Sequence, residues 1–385
     1  MDTALFETTG SLTGKIFRKI TDISPYDWLS VLPDVLENYY FFKTLNDVHF
    51  PQFKFYYLMV YEKETPVGAA PCFFMDYPLD TTVVGPMKYV LKAVRKVLPG
   101  IMSLKAVICG IPMGPGRIGV KKEASRPVVR EIVRCMEWIA SEEKASVLAF
   151  KDFEPLQTVH LDFLRSEGFL KVQDIPNTEM AVTFENFEQY LKTLSRVSRE
   201  GLKRKFKKID GHVNIELEIA DCLGDSLDDV YDLYLQTVRR AEFQFEVVPK
   251  EFFTVVPENV PEAKFFIWRI DQRPVAFAFC LVSKERLIDY YLGFDYSIAY
   301  QYHLYFVRFR DLLKWCIINK IERYEMGVTN YEPKRRLGFD FVPLYIYAKH
   351  RKPWFNLFFK MLGCLLKPEN FETVFEDMKR DPPRM

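Results

Sequence analysis

The sequence predicts an α/β protein of two similar halves, each a mixed sheet with a long helix packed over it. Three observations lead there: a hairpin pattern that occurs twice, the same element order after each copy, and a helical stretch between them. The first hairpin pattern runs from Tyr57 through Pro66-Val67-Gly68 to Cys72, the second from Phe266 through Pro274-Val275-Ala276 to Cys280. Each is a β-branched and aromatic run, a short polar turn, then Pro-Val and a second such run, which reads as a β-hairpin. Small residues after Pro-Val leave room for close approach of another backbone or a ligand. After the first hairpin come a strand near 104–109, a helix over about 126–142 and the strand Ser146–Phe150. After the second come the strand Arg286–Leu292, a helix near 303–320 and the strand Arg323–Met326. Repetition of the whole order, beyond one dipeptide, argues for two halves of one design.

Between the halves, Phe184 to Lys208 reads as helical, and a further helix near 225–241 opens on acidic residues that suit a helix N-terminus. The expected domains are 1–185 and 186–385, in keeping with the length of 385 residues. Apolar residues at 49% and charged residues at 27% are ordinary for a globular chain and exclude long disorder. With 34 Phe and 21 Tyr, the aromatic excess either fills the cores or lines a cleft for a long apolar ligand. The seven cysteines are scattered without a C-x-x-C pair and mostly have apolar neighbours, which fits reduced thiols and a cytoplasmic location. Met1–Gly10 lacks a basic region followed by an apolar core, so no signal peptide is expected. No uncharged apolar run reaches the roughly 20 residues of a spanning helix.

Hairpin, strand, helix and strand in that order resemble the centre of the GNAT fold, so the expected architecture is two tandem GNAT-like domains with a cleft between them. The run Ser195-Arg-Val-Ser-Arg199-Glu-Gly-Leu-Lys203-Arg204-Lys205, which opens the second half, resembles FemAB-like proteins and their BioF2-like acetyltransferase relatives. So does Tyr331-Glu-Pro-Lys334-Arg335-Arg336-Leu-Gly338-Phe339, and together they cover about 190–350. The resemblance implies an acyltransferase forming an amide, with acyl-CoA or an acyl carrier protein thioester as co-substrate and no permanently bound cofactor. It further implies that Tyr331, Lys334, Arg335 and Arg336 line the substrate site.

Amide formation needs a proton acceptor, donors to an oxyanion and a cradle for the donor's phosphates. The cradle candidate is Gly110-Ile-Pro-Met-Gly114-Pro-Gly116-Arg117-Ile-Gly119, between a strand and a helix, where glycines free the backbone and Arg117 adds a charged fork. A structural loop is the competing reading, because two prolines interrupt it. The base candidate is His303 at the start of the second-half helix, a residue type that titrates near neutral pH. Asp289 and Tyr291 alternate onto one face of the preceding strand, and Asp289 needs a partner in so apolar a setting. Asp152 and Glu154 follow the strand end at Phe150 and rank lower. No Walker loop, G-x-S-x-G or H-E-x-x-H occurs, and the five histidines are dispersed, so no metal is expected.

Net charge is only +1, yet Thr81 to Lys122 holds eight Lys or Arg and no Asp or Glu. Within this insertion, at about 77–105, Lys88, Lys92, Arg95 and Lys96 share one side of a helix. The C-terminal run Arg351-Lys352-Pro-Trp354-Phe355 to Lys367 combines cations with aromatics. Both patterns suit an anionic membrane surface, so the preferred acceptor is a lipid or long-chain amino-alcohol amine and the expected location is peripheral on the inner membrane. Packing of either helix on its own domain is the competing reading. The alternative functions are a FemAB-like transferase using aminoacyl-tRNA on a cell-wall precursor, and an inactive protein binding a lipid or partner. A monomer and a homodimer both remain open.

Overall fold

Proline cannot donate to a β-ladder, so a Pro inside a hairpin is confined to an edge or an irregularity. Both Pro-Val dipeptides obey this rule in the computed structural model, which describes residues 6–7, 11–33, 36–78, 103–121, 125–241, 245–328, 331–352 and 356. The basic helix expected at 83–99 and, Asn356 apart, the aromatic run from Pro353 lie outside the described residues.

The first unit contains the described residues up to Ile175, Phe245–Glu246, and the chain from Pro343. Its elements begin with β1 (Phe6–Glu7), β2 (Thr13–Phe17), α1 (Pro25–Val31) and α2 (Tyr39–Asp47). The hairpin follows as β3 (Lys54–Glu62) and β4 (Thr65–Pro78). There Val60 faces Gly68 while Tyr61 faces Pro66, so Val67 is the extra residue of a bulge. Next come β5 (Ser103–Cys109), the two-residue β6 (Gly119–Val120), α3 (Ser125–Glu142) and β7 (Val147–Phe153). Neighbouring strands are antiparallel from β1 through β5, and β7 joins β5 in parallel, Ala106 facing Val147. Helix α3 covers the sheet with Val128, Val129, Ile132, Cys135, Met136 and Ile139, a 3.6-residue stripe over fully buried Tyr56, Leu58 and Leu148.

The second unit runs from Pro176 to residue 241 and from Val247 to Val342. It takes the end of β8 (Leu170–Ala181), then α4 (Phe187–Thr193), α5 (Arg196–Asp210), β9 (Glu216–Ala220), α6 (Leu227–Val238) and α7 (Phe252–Asn259). The predicted helix over 184–208 is thus two helices. Leu194 is extended, and Ser195 Oγ accepts from Ser198 N at 3.2 Å, so the serine caps a new helix and does not continue the old one. The second hairpin is β10 (Ala263–Ile270) and β11 (Arg273–Val282), with Val275 as its bulge residue between the pairs Trp268–Ala276 and Arg269–Pro274. Asp271 and Gln272 both take positive φ, as a tight two-residue turn demands. Then follow β12 (Arg286–Phe294), α8 (Leu304–Ile318), β13 (Arg323–Glu325), α9 (Tyr331–Arg336) and β14 (Asp340–His350).

In this unit β9, β10, β11 and β12 are antiparallel neighbours, β13 joins β12 in parallel, and β8 joins β13 antiparallel. One face of the sheet carries α8 with α4 and α5, whose Leu202, Phe206 and Ile209 enter the core. The other carries α6 and α7, sealed by rings of Tyr234, Phe252, Phe253, Phe279 and Tyr291. From Pro343 the chain returns to the first unit, where β14 pairs with β7, Lys349 facing Leu148. Arg351 then caps the end of α3, donating to Ala140 O at 3.1 Å and Ser141 Oγ at 2.7 Å. A single cut between 185 and 186 does not include this return.

Two glycines give opposite tests of this packing. A Cβ on Gly293 would lie 2.4 Å from the carbonyl carbon of Leu233 in α6, whereas one on Gly201 in α5 would meet nothing within 4 Å. Gly293→Ala should therefore destabilise by roughly 1–3 kcal/mol, and Gly201→Ala should stabilise by up to about 1 kcal/mol. Urea midpoints of the two variants moving in the same direction would contradict this packing.

Candidate functional site

Strand β12 pairs Tyr291 with Phe279 but Asp289 with Cys280, so Tyr290 is an extra residue and the side-chain alternation inverts across it. Asp289 and Tyr291 were expected on one face; the bulge puts them on opposite faces. Tyr291 joins the aromatic layer under α6 and α7. Asp289 points to α8, where it pairs with the fully buried Arg308 and accepts from Tyr324 Oη at 3.1 Å. Burial alone would lower the Arg308 guanidinium, but Asp289 outweighs it and holds it above its ordinary range. Burial and Asp289 both push the Tyr324 hydroxyl up. Asp289 is therefore the counter-ion of a core arginine that the sequence reading did not single out. Arg308 lies in Leu304-Tyr-Phe-Val-Arg308-Phe-Arg310, where any helical cation passes for a surface residue.

Lys334 is buried beside this pair. Its Nζ donates to Met326 O at 2.8 Å and Gly327 O at 2.9 Å, and Gly327 O also accepts from Thr178 Oγ1 at 2.7 Å. Burial lowers its amine to about 7, with Arg308 acting in the same sense and Asp289 against it. Tyr331 likewise turns inward and donates to Pro176 O at 2.9 Å. Arg335 and Arg336 face solvent and both pair with Glu332. The basic run is thus split into one buried amine and two exposed cations neutralised on their own helix.

His303 caps α8 with φ +47, and burial together with Lys205 and Lys208 of α5 lowers its imidazole below the usual range. Among the described residues, no hydrogen bond joins His303 to Asp289 or Lys334. Strand β13 pairs with β12 only from Arg286–Arg323 to Ile288–Glu325, after which the chain leaves the ladder at Met326. The pairing of β12 with β13 ends at Ile288, and the Tyr290 bulge lies just beyond that point. A parallel pair that separates beside a bulge, with a helix N-terminus following, is the local architecture of the site.

Residues 196–335 match the family described as acetyltransferase (GNAT) domain. The second unit is a GNAT domain. The chain is similar in fold to FemX, with a TM-score of 0.55 and 11% identity over 84% of this chain and 96% of that one. It is also similar to a tandem GNAT protein of the clavulanic acid biosynthesis pathway, at TM-score 0.53 and 9% identity over 89% and 99% of the two chains. A third similar fold is the C-terminal domain of a putative lysylphosphatidylglycerol synthetase from Agrobacterium fabrum, at 0.51 and 12% over 89% and 96%. Proteins described as putative 8-amino-7-oxononanoate synthase 2, from two strains of Mycobacterium tuberculosis, are 22% identical over 322 residues, 81% of this chain. The chain spans 42% of their length.

Outside the GNAT domain, the glycine-rich loop of the first unit packs against its own chain. A Cβ on Gly116 would lie 2.1 Å from Lys151 O, and one on Gly119 2.2 Å from Val31 O. Gly114 sits in a bend, and Arg117 pairs with buried Glu37 at 3.4 Å. Gly116 and Gly119 are accounted for by backbone contacts within the unit, which favours the structural reading of the loop. Gly116→Val would then report on packing and not on a cradle.

At the end of β7, Lys151 pairs with Asp152, whose φ is +61. Burial, and then Asp152, push the Asp174 carboxyl well up. Buried Asp152 Oδ1 has no hydrogen-bond partner among the described residues. Glu154 has its side chain outside this group and leads into a helical turn.

Two pH tests follow. The folded value of Lys334, about 7, lies below the unfolded value of about 10.4. The native state therefore holds fewer protons between them, and this stabilisation is full above the unfolded value and lost as pH falls through the folded one. Relative to Lys334→Met, the wild type should gain unfolding free energy as pH rises from about 7 to about 9.5; a flat difference would remove the buried-amine assignment. Asp174 has the opposite sense. With its folded value raised, its contribution is present at low pH and is lost as pH rises from about 4 through that folded value. Asp174→Asn should flatten the fall, and denaturation curves across acid and neutral pH that coincide with wild type would overturn the raised Asp174 carboxyl.

Proposed function

We propose that the second unit transfers an acyl group from a phosphorylated thioester donor to an amine. The observation that carries this reading is the end of the parallel β12–β13 pairing at Ile288–Glu325, where the two strands part beside the Tyr290 bulge and ahead of α8. Two parallel strands that part can admit an extended chain bearing amides along the edge between them. The pantetheine arm of coenzyme A or of an acyl carrier is such a chain. At the far end of that edge, the start of α8 with His303, Lys205 and Lys208 is suited to the donor's phosphates.

In the reaction the amine nitrogen attacks the acyl carbon, the C–N bond forms, and the C–S bond breaks. The proton released by the amine leaves with the thiol. Asp289 is committed to Arg308 and Tyr324, so it is a positioning residue holding α8 against the sheet. Lys334 ties the end of β13 through two carbonyls and keeps the strands apart where the arm would lie. The preferred acceptor is a lipid amine, supported by the basic and aromatic composition of 83–99 and 351–367.

His303 separates two roles by experiment. Acetyl-CoA and longer acyl-CoAs should raise the melting temperature of the wild type. With an acyl-accepting amine found by product mass spectrometry, His303→Ala should lower kcat by about 10²–10⁴ if the imidazole takes the proton. A rise in donor KM with kcat kept would place it on the phosphates instead. Absence of both the thermal shift and any amide product would overturn the function proposed.

A further inference from the structure

The outward face of α5 is a second feature that the fold does not explain. The helix is held by Leu202, Phe206 and Ile209, one stripe into the core. Its other positions carry cations along the whole length, about 22 Å at 1.5 Å per residue. Arg196, Lys203, Arg204, Lys207 and Lys208 form no ion pair among the described residues, while the helix's two acids are engaged by Arg199 and Arg310. In the first turn of the helix Val197 is 85% exposed, and one turn on Gly201 leaves open space where a side chain would stand. An exposed mid-helix glycine costs about 1 kcal/mol against alanine, and no neighbour within the protein requires it.

We propose that this face docks an acidic carrier protein that delivers the acyl group on a phosphopantetheine arm. The inference rests on the thioester reading of the same domain and names the form of its donor. Three arguments select this partner. The cations extend far past the start of α8, which only Lys205 and Lys208 approach, so they exceed what the phosphates of one coenzyme engage. The face carries an exposed valine in its first turn and an open glycine one turn on, apolar surface set beside the cations as at a protein interface. It carries no exposed aromatic ring, since Phe206 is buried, so it lacks the stacking platform of single-stranded nucleic-acid binders. The face is also continuous with the donor site: Lys205 Nζ lies 4.9 Å from the ring centre of Phe306, in the first turn of α8.

The test uses the full chain and fluorescently labelled palmitoyl-acyl carrier protein, followed by anisotropy, with palmitoyl-CoA thermal shifts in parallel. Wild type should bind the carrier at low salt and weaken as salt rises. Lys203→Glu with Lys207→Glu should weaken carrier binding by about tenfold or more, and Lys203→Gln with Lys207→Gln by less. The palmitoyl-CoA shift should be unchanged in both, which also shows that the variants are folded. Carrier binding equal to wild type in the charge-reversed variant would overturn the proposal, as would displacement of the carrier by tRNA at equal charge. Palmitoyl-CoA binding without carrier binding would sink this inference alone. Binding of neither would sink the thioester reading beneath it.

Discussion

The second unit depends on a buried ion pair, Asp289 with Arg308, set in a core of Cys280, Leu312, Leu313 and Cys316. Taking two charges out of water is costly, and a buried pair is weak evidence for net stability. Its effect is on specificity. Arg308 has one acceptable position, opposite Asp289, and Asp289 reaches it only because Tyr290 is bulged. Without the extra residue, Asp289 and Tyr291 would share a face, and one of them would meet the wrong layer: a carboxylate among the rings of α7, or a phenol against α8. The bulge, the rotation of α8 and the placing of Lys334 beside the pair are one constraint seen three times. Removing either charge alone would leave the other buried and uncompensated, at a cost of roughly 3–5 kcal/mol.

The two units solve the same strand pattern differently. In the first, β4 and β5 keep an unbroken register from Pro78–Ser103 to Cys72–Cys109, and the following loop folds onto β7 through glycines that admit its backbone. At the end of β7, Lys151 pairs with Asp152, and Asp174 close by has its carboxyl pushed up. In the second, the corresponding pair β11–β12 is interrupted, its parallel neighbour leaves early, and the next loop is governed by Asp295, which accepts from Ser297 N at 3.0 Å. A continuous register pairs backbone groups along both strands, while strands that part make room for a ligand between them. That contrast favours the second unit as the one that handles the donor.

Much of this was legible in the chain because it is local. Pro66-Val67 and Pro274-Val275 marked hairpins correctly, since Pro excludes regular pairing over a distance of two or three residues. The helices at 125–142 and 304–318 follow from apolar spacing. What was not legible depends on partners distant in sequence. The Tyr290 bulge is a mismatch between two strands, and neither Leu-Ile-Asp-Tyr-Tyr-Leu nor its partner contains it alone. Arg308 lies 19 residues from its counter-ion, within a helix whose other cations are exposed or half-buried. The glycines at 116 and 119 were visible, but whether a glycine admits a phosphate or the protein's own carbonyl depends on where residues 31 and 151 end up. The pairing of β14 with β7 joins residues almost 200 apart, beyond any local signal. One cue was available and unused: Ser195 reads as a helix cap as readily as a helix interior residue.

A net charge of +1 by itself predicts no particular partner, and the placing of the charges explains why such a total is uninformative. Neutrality is a sum over the chain, whereas association is governed by the field at a surface, which decays within about 8–10 Å at physiological salt. Acids that balance the total are placed where they serve other elements: Asp228 and Asp229 in the first turn of α6, Glu332 between two arginines of α9. Asp228 is matched further by Lys250. None of these compensates α5, whose own acids already have partners. A helix can carry such a face only if its attachment comes from the opposite stripe, since like charges three and four residues apart repel by a few tenths of a kcal/mol each. Leu202, Phe206 and Ile209 provide that attachment, and Lys205 and Arg310 add cation–π contacts with Phe306 and Phe206. The core thus bears the cost of an arrangement that lowers the stability of the free protein, and an anionic partner would relieve it.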